Sequence, residues 1–134
     1  MNKTIAVIAS SPEKASAIAD TFVNEKCNLL LLAKERDGYD KILADIKKKS
    51  KSCKTEFHDC MKDSCWEADA IIMDVKMEEE EDVATAIKEV ATQKVVVNIG
   101  RECDYKKLQQ YLPFSRVKTL SRVPVSFKDI INDE

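Results

Sequence analysis

Short, uninterrupted apolar runs recur along the chain at Thr4–Ala9, Asn28–Ala33, Ala70–Val75 and Lys94–Ile99. Runs of this length, unbroken by polar alternation, suit strands buried on both faces. Amphipathic stretches separate them. Ala15, Ile18, Ala19, Phe22 and Val23 share one face at 3.6-residue spacing, as do Tyr39, Ile42, Leu43 and Ile46, and then Val83, Ile87 and Val90. Tyr105, Leu108 and Leu112 predict a short helix that Pro113 stops. Lys54–Asp59 alternates as an edge strand does, Asp63–Ala68 reads as a turn or short helix, and Arg116–Leu120 supplies a sixth strand. The strands lie too far apart in sequence for hairpins, which leaves parallel β-α-β units with right-handed crossovers. The expected fold is a three-layer α/β sandwich, a doubly wound parallel sheet of about six strands.

With 134 residues, no linker, no repeat and no low-complexity segment, the chain reads as a single domain over residues 1–134 with no second catalytic domain. Lys and Arg number 22 against 24 Asp and Glu, for a net charge of −2. Without a basic excess, nucleic acid is not the expected ligand. The longest apolar run, Leu29–Ala33, is far short of a membrane span, so no membrane role is expected. The opening residues run directly into strand-like sequence with no signal peptide, and five cysteines without an export signal fit free thiols in a reducing, cytoplasmic setting.

Glycine is scarce: Gly38 and Gly100 are the two present. Chains that cradle phosphates with backbone usually place several glycines just after the first strand. Here that place holds Ala9-Ser10-Ser11-Pro12-Glu13. A serine accepts orphan backbone N–H bonds, proline fits the first helical position and an acid suits the first turn, so a capped helix explains these residues without any ligand.

The order and spacing of several phrases resemble the NAD(P)-binding Rossmann domain of the deazaflavin-dependent NADP oxidoreductases and the related pyrroline-carboxylate-reductase-like proteins. The phrases are Lys3–Ala9 with the helix face to Ala19, Glu67–Lys76, Lys94–Ile99 and Leu108–Lys118, within a match spanning roughly residues 3–125. The resemblance implies a Rossmann-like fold, oxidoreductase ancestry and NADP or NAD as ligand. It also implies a cofactor site at Ala9, Ser10, Ser11, Lys34, Glu35, Arg36 and Asp74. Ala9, Pro12 and Ala15 stand where the family has its three glycines. Ala15 preserves helix–strand packing, whereas Pro12 removes an N–H from the phosphate-receiving turn and puts a ring in its place. Ser10 and Ser11 retain weak anion-binding capacity. Glu35 follows Ala15 by 20 residues, where an acid holds a ribose diol, and Lys34 and Arg36 suit a 2′-phosphate. Asp74, where the family has a small residue, would repel phosphate or crowd a ribose. No catalytic acid or base is assigned. Two functions follow: a protein binding NAD(P) or another nucleotide weakly through a glycine-free loop, or a non-catalytic degenerate Rossmann domain acting through protein–protein contacts. Sheet edges and surfaces that further chain would cover make a homo-oligomer or another protein partner an expectation.

Rival chemistries fit less well. A phospho-acceptor role for Asp74 needs paired acids after the first strand, where Ser10 and Ser11 stand. Cys53, His58, Cys60 and Cys65 lack the two close pairs of a zinc site, so no metal is expected and the thiols read as packing groups. One histidine without an orienting partner makes no Cys–His nucleophile. Trp66 beside Ala68 reads as core packing under the fourth strand.

Overall fold

The computed structural model describes residues 3–33, 35–49, 52–99 and 105–120. Cys103, Gly100 and Lys34 lie outside them. The elements in chain order are β1 (Lys3–Ala9), α1 (Pro12–Thr21), β2 (Cys27–Leu32), α2 (Tyr39–Lys49), β3 (Lys54–His58) and α3 (Met61–Glu67). They continue as β4 (Ala70–Asp74), a 3-10 turn (Met77–Glu79) leading into α4 (Glu80–Ile87), β5 (Val95–Ile99), α5 (Tyr105–Tyr111) and β6 (Arg116–Leu120). All neighbouring strands are parallel, in the order β3-β2-β1-β4-β5-β6. The chain therefore winds outward from β1 in one direction, returns, and winds outward from β4 in the other. This is a Rossmann-like α/β fold, and the two directions diverge between β1 and β4.

Alternation along the central strands splits the core into two layers. On one face Ile5, Val7, Leu29, Leu31, Ile72 and Val97 pack beneath Ala15 and Ile18 of α1, Phe22 at its C-terminal cap, and Ile42 and Ile46 of α2. On the other, Ala6, Ile8, Ile71, Met73 and Val96 meet Cys65 of α3, Ala84 and Ile87 of α4, and Leu108 of α5. Apolar runs without polar alternation are what a strand covered on both faces requires, because successive side chains enter opposite layers.

The start of α1 follows the capping logic of its sequence. Ser11 is extended (φ −151°, ψ 156°), its Oγ accepts the Lys14 N–H at 3.3 Å, and Pro12 opens the first turn. α4 is shorter than its apolar stripe, ending at Ile87 with Val90 in the turns that follow. No glycine is available at that exit, and Gln93 takes the left-handed conformation instead (φ 66°), its N–H donating to the Phe114 carbonyl at 2.7 Å. Two buried polar groups tie the sheet to its helix layer: Asn98 Nδ2 of β5 donates to Glu80 Oε1 at the start of α4 at 2.9 Å, and both side chains are buried.

Trp66 does not pack under β4. It is 70% exposed, because α3 turns Ser64 and Cys65 inward and carries the next residue onto the outer side of the helix. Its carbonyl and that of Cys65 accept hydrogen bonds from Lys94 Nζ, which caps the end of α3. Among the described residues, no helix is long and apolar enough to cross a membrane.

Candidate functional site

Parallel sheets bind ligands outside the carboxyl ends of their strands, at the point where the winding direction changes. A cleft of about 640 Å³ opens there, over the ends of β1, β2 and β4. Its apolar lining includes Ile8, Leu32, Ala33, Val75 and Val83. Tyr39, buried on α2, also lines it, with its ring centroid 5.3 Å from that of Phe57. Burial, and then the charge of Glu13, push the Tyr39 phenol above its ordinary range, so it stays a neutral hydroxyl.

The turn after β1 forms one wall. Ala9, in register with Asp74 of β4, lines the cleft together with Ser10, Ser11 and Pro12. The backbone donors of this turn are largely committed: Ser10 N–H bonds the Asp74 carbonyl at 3.0 Å, Lys14 N–H the Ser11 hydroxyl and Ala15 N–H the Ser11 carbonyl at 3.2 Å. Pro12 has no N–H. The N–H groups of Ser11 and Glu13 are what the turn has left for an anion.

The Pro12 ring is also packed by the loop that follows β2. Gly38, in the loop between β2 and α2, adopts φ +84°, and a Cβ built there would lie 2.9 Å from Pro12 Cγ and 3.2 Å from its Cβ. The glycine backbone thus lies directly against the ring, and the β2–α2 loop packs on Pro12 at the start of α1. Of the chain's two glycines, this one lies in contact with a proline ring.

The other residues singled out from sequence separate into two groups. Glu35 lines the cleft. Arg36 does not; its Nε donates to Asp40 Oδ1 at 2.6 Å and its guanidinium lies 5.3 Å over the Phe57 ring. Lys34 lies outside the described residues. Asp74 ends β4 with its carboxylate 3.6 Å from Lys14 Nζ of α1, and it is not part of the cleft lining. Ala9, Ser10, Ser11 and Glu35 are therefore brought together, and Arg36 and Asp74 are held by other side chains.

The charge of the cleft is the property that sequence reading missed. Five carboxylates line it, Glu35, Asp37, Asp59, Glu79 and Asp82, with no Lys, Arg or His among the described lining residues. They come from three separate segments, following β2, β3 and β4. The signal was present in the sequence as acids just beyond the carboxyl end of each of these strands, the positions that converge on the cleft in a doubly wound sheet. The thiol and imidazole groups of the third β-α unit do not converge. His58 Nε2 meets Glu56 Oε2 at 3.2 Å, Cys60 is exposed and Cys65 is buried, and no described group of His, Cys, Asp and Glu is placed to hold a metal.

No protein-family profile matches the chain, and no curated protein matches it. Solved structures do. Lactate dehydrogenase from Eimeria maxima, in complex with NADH and oxamate, aligns with a TM-score of 0.72 at 12% identity over 90% of this chain and 44% of that one. A pyrroline-5-carboxylate reductase from Coxiella burnetii aligns with a TM-score of 0.69 at 13% identity, over 87% and 43%. Plasmodium falciparum pyrroline carboxylate reductase, with NADP bound, aligns with a TM-score of 0.60 at 15% identity, over 83% and 38%. The chain spans less than half the length of each of these structures. At these identities the likeness is one of fold alone.

Proposed function

We propose that this chain is a non-catalytic Rossmann domain, of the ancestry shared by deazaflavin-dependent NADP oxidoreductases and pyrroline-carboxylate reductases, that has given up tight dinucleotide binding and acts through contacts with protein. The observation that carries this reading is the closed corner at the start of α1. Pro12 replaces a phosphate-facing N–H with a ring, Gly38 packs onto that ring, and the surrounding cleft is lined by carboxylates. A pyrophosphate placed there meets negative charge and few donors. The exposed aromatics supply a different surface. Trp66 and Phe114 are 70% and 66% exposed, and their carbonyls are held by Lys94 and Gln93 respectively, just before β5. They lie at the amino end of the sheet, opposite the cleft, where large apolar side chains mark a contact surface.

A second reading keeps the ligand. Ser10, Ser11 and Glu35 still line the cleft, and they suit weak binding of NAD(P) or another nucleotide, with Glu35 accepting from a ribose hydroxyl. Calorimetric titration with NADPH, NADP, NADH and NAD separates the two. The first reading expects no heat up to millimolar ligand; a dissociation constant near micromolar, about −8 kcal/mol, refutes it. The triple substitution Ala9→Gly, Pro12→Gly, Ala15→Gly should gain affinity if the closed corner is the obstruction. Sedimentation of the wild type beside Trp66→Ser and Phe114→Ser tests the aromatic surface. A monomer at tens of micromolar removes self-association and leaves a different protein as the partner.

A further inference from the structure

On the opposite side of the sheet edge from the acidic cleft, two cysteines face each other across adjacent strands. β2 and β3 pair in parallel with Asn28 opposite Lys54. One step back, Cys27 stands opposite Cys53, and their sulfurs are 3.7 Å apart, both residues buried. Neighbouring strands lie about 4.8 Å apart, inside the Cα separation of roughly 4.4–6.8 Å that disulfides use. A bond of about 2.05 Å needs the sulfurs to close by about 1.7 Å, a side-chain rotation and not a strand movement.

The two sulfurs differ in surroundings. Cys53 lines a groove of about 460 Å³ between α2 and β3, whose wall includes Lys47, Lys54 and Glu56. Cys27 does not line that groove and has Glu25 nearby. The Cys27 thiol donates to the Cys53 sulfur, and the Thr55 hydroxyl lies 3.8 Å from Cys53. These contacts lower Cys53, the Cys27 thiol most of all, against the pull of burial, while the same hydrogen bond and burial raise the Cys27 thiol. Cys53 is thus the sulfur that the groove reaches and whose neighbours favour its thiolate form, while Cys27 lies behind it.

We propose that Cys27 and Cys53 form a peroxide-reactive dithiol, with Cys53 the attacking sulfur and Cys27 the resolving one. The oxidant is a small hydroperoxide, since Cys53 is 5% exposed and admits nothing larger without opening. The Cys53 thiolate attacks the O–O bond of hydrogen peroxide, takes one oxygen as a sulfenic acid, and the second oxygen leaves as water after protonation. The Cys27 sulfur then attacks the Cys53 sulfur, losing its proton as the sulfenic hydroxyl departs as a second water. Two thiols and one peroxide give one disulfide and two waters. The site is independent of the cleft and of the function proposed for it.

The test uses the full chain, reduced and desalted, exposed to a small excess of hydrogen peroxide, then alkylated and mapped by mass spectrometry without reduction. The expected product is a Cys27–Cys53 cross-linked peptide, lighter by two hydrogens and restored by dithiothreitol, appearing before Cys60 is modified although Cys60 is exposed. In Cys27→Ser, dimedone should trap a sulfenic acid at Cys53 at the rate at which the wild type cross-links, since the first step is shared. Should a buried serine unfold the domain, Cys27→Ala serves instead and should trap the same Cys53 adduct more slowly, because it removes the hydrogen bond that lowers Cys53, with a thermal melt reporting the fold of each variant. The proposal is overturned if Cys60 oxidises first while Cys27 and Cys53 remain fully alkylatable in denaturant. It is equally overturned if wild-type Cys53 accumulates a dimedone adduct without closing.

Discussion

Gly38→Ala tests whether the corner at α1 is held shut by a specific contact. Two costs add at this position. The backbone sits at φ +84°, where an L side chain loses about 1–2 kcal/mol. The new Cβ would also lie 2.9 Å from Pro12 Cγ, closer than carbon atoms pack, and relieving such an overlap in a packed region costs about 1–3 kcal/mol. The substitution should therefore destabilise by about 2–5 kcal/mol, large against the roughly 5–15 kcal/mol that holds a domain of this kind. The two parts separate in a double-mutant cycle, because Pro12→Gly removes both of the atoms that the Cβ would meet and leaves the φ untouched. Urea unfolding of the wild type, Gly38→Ala, Pro12→Gly and the double variant gives the coupling. At least ~1 kcal/mol of the Gly38→Ala cost should vanish in the Pro12→Gly background. An equal cost in both backgrounds would refute the contact, and with it the view that the β2–α2 loop closes over Pro12.

Two further outcomes follow from the core. Asn98→Leu leaves the buried Glu80 carboxylate without its amide donor and should cost about 3 kcal/mol in urea unfolding, while Glu80→Gln, which keeps an acceptor for Asn98 Nδ2, should cost less. The Cys65 thiol is pushed up to about 12 from 9.0, chiefly by burial and against the charge of Lys94. Its native pKa is raised, so its contribution is complete below the unfolded value and is lost as pH climbs from 9 towards 12. Wild-type stability should then fall by up to about 1.4 kcal/mol per pH unit in that window from this one proton, and Cys65→Ala should show a shallower slope; equal slopes would refute the assignment.

The fold was legible because each strand and helix carries its own period. Four apolar runs, three amphipathic faces and the Ser11–Pro12 cap each sit where a local rule places them, and their order leaves few ways to connect them. Trp66 was not legible: in a short helix between two loops, a single aromatic does not reveal which way the helix is rolled, and Ser64 and Cys65, rather than the tryptophan, turn inward. The contact of Gly38 with Pro12 joins a loop to a helix start 26 residues away in sequence, which no periodicity reports. The same holds for Arg36, whose charge suggested a phosphate and whose partners are Asp40 and the Phe57 ring. The Cys27–Cys53 pair was closer to hand, since aligning β2 with β3 in register puts the two opposite each other.

The acids of the cleft would disfavour the more highly charged of the two coenzymes between which the sequence resemblance does not choose. At ~8 Å two unit charges repel by about 0.5 kcal/mol in water, and screening at physiological salt reduces this by about two-thirds over that distance. Two pyrophosphate charges against five carboxylates then amount to about 2 kcal/mol, or roughly thirty-fold in affinity. NADPH adds a 2′-phosphate of −1.5 to −2 charges, by about the same reckoning another 1–2 kcal/mol, at the end of the site bordered by Glu35 and Asp37. Arg36, which would offset it, is held by Asp40 and Phe57. Any residual dinucleotide affinity should thus favour NADH over NADPH by about ten-fold. Competition between the two at low and high salt measures it, and the preference should shrink as salt rises. A preference for NADPH would mean that the acidic lining does not set the potential where the ribose sits, and that the oxidoreductase site survives in a form the closed corner does not prevent.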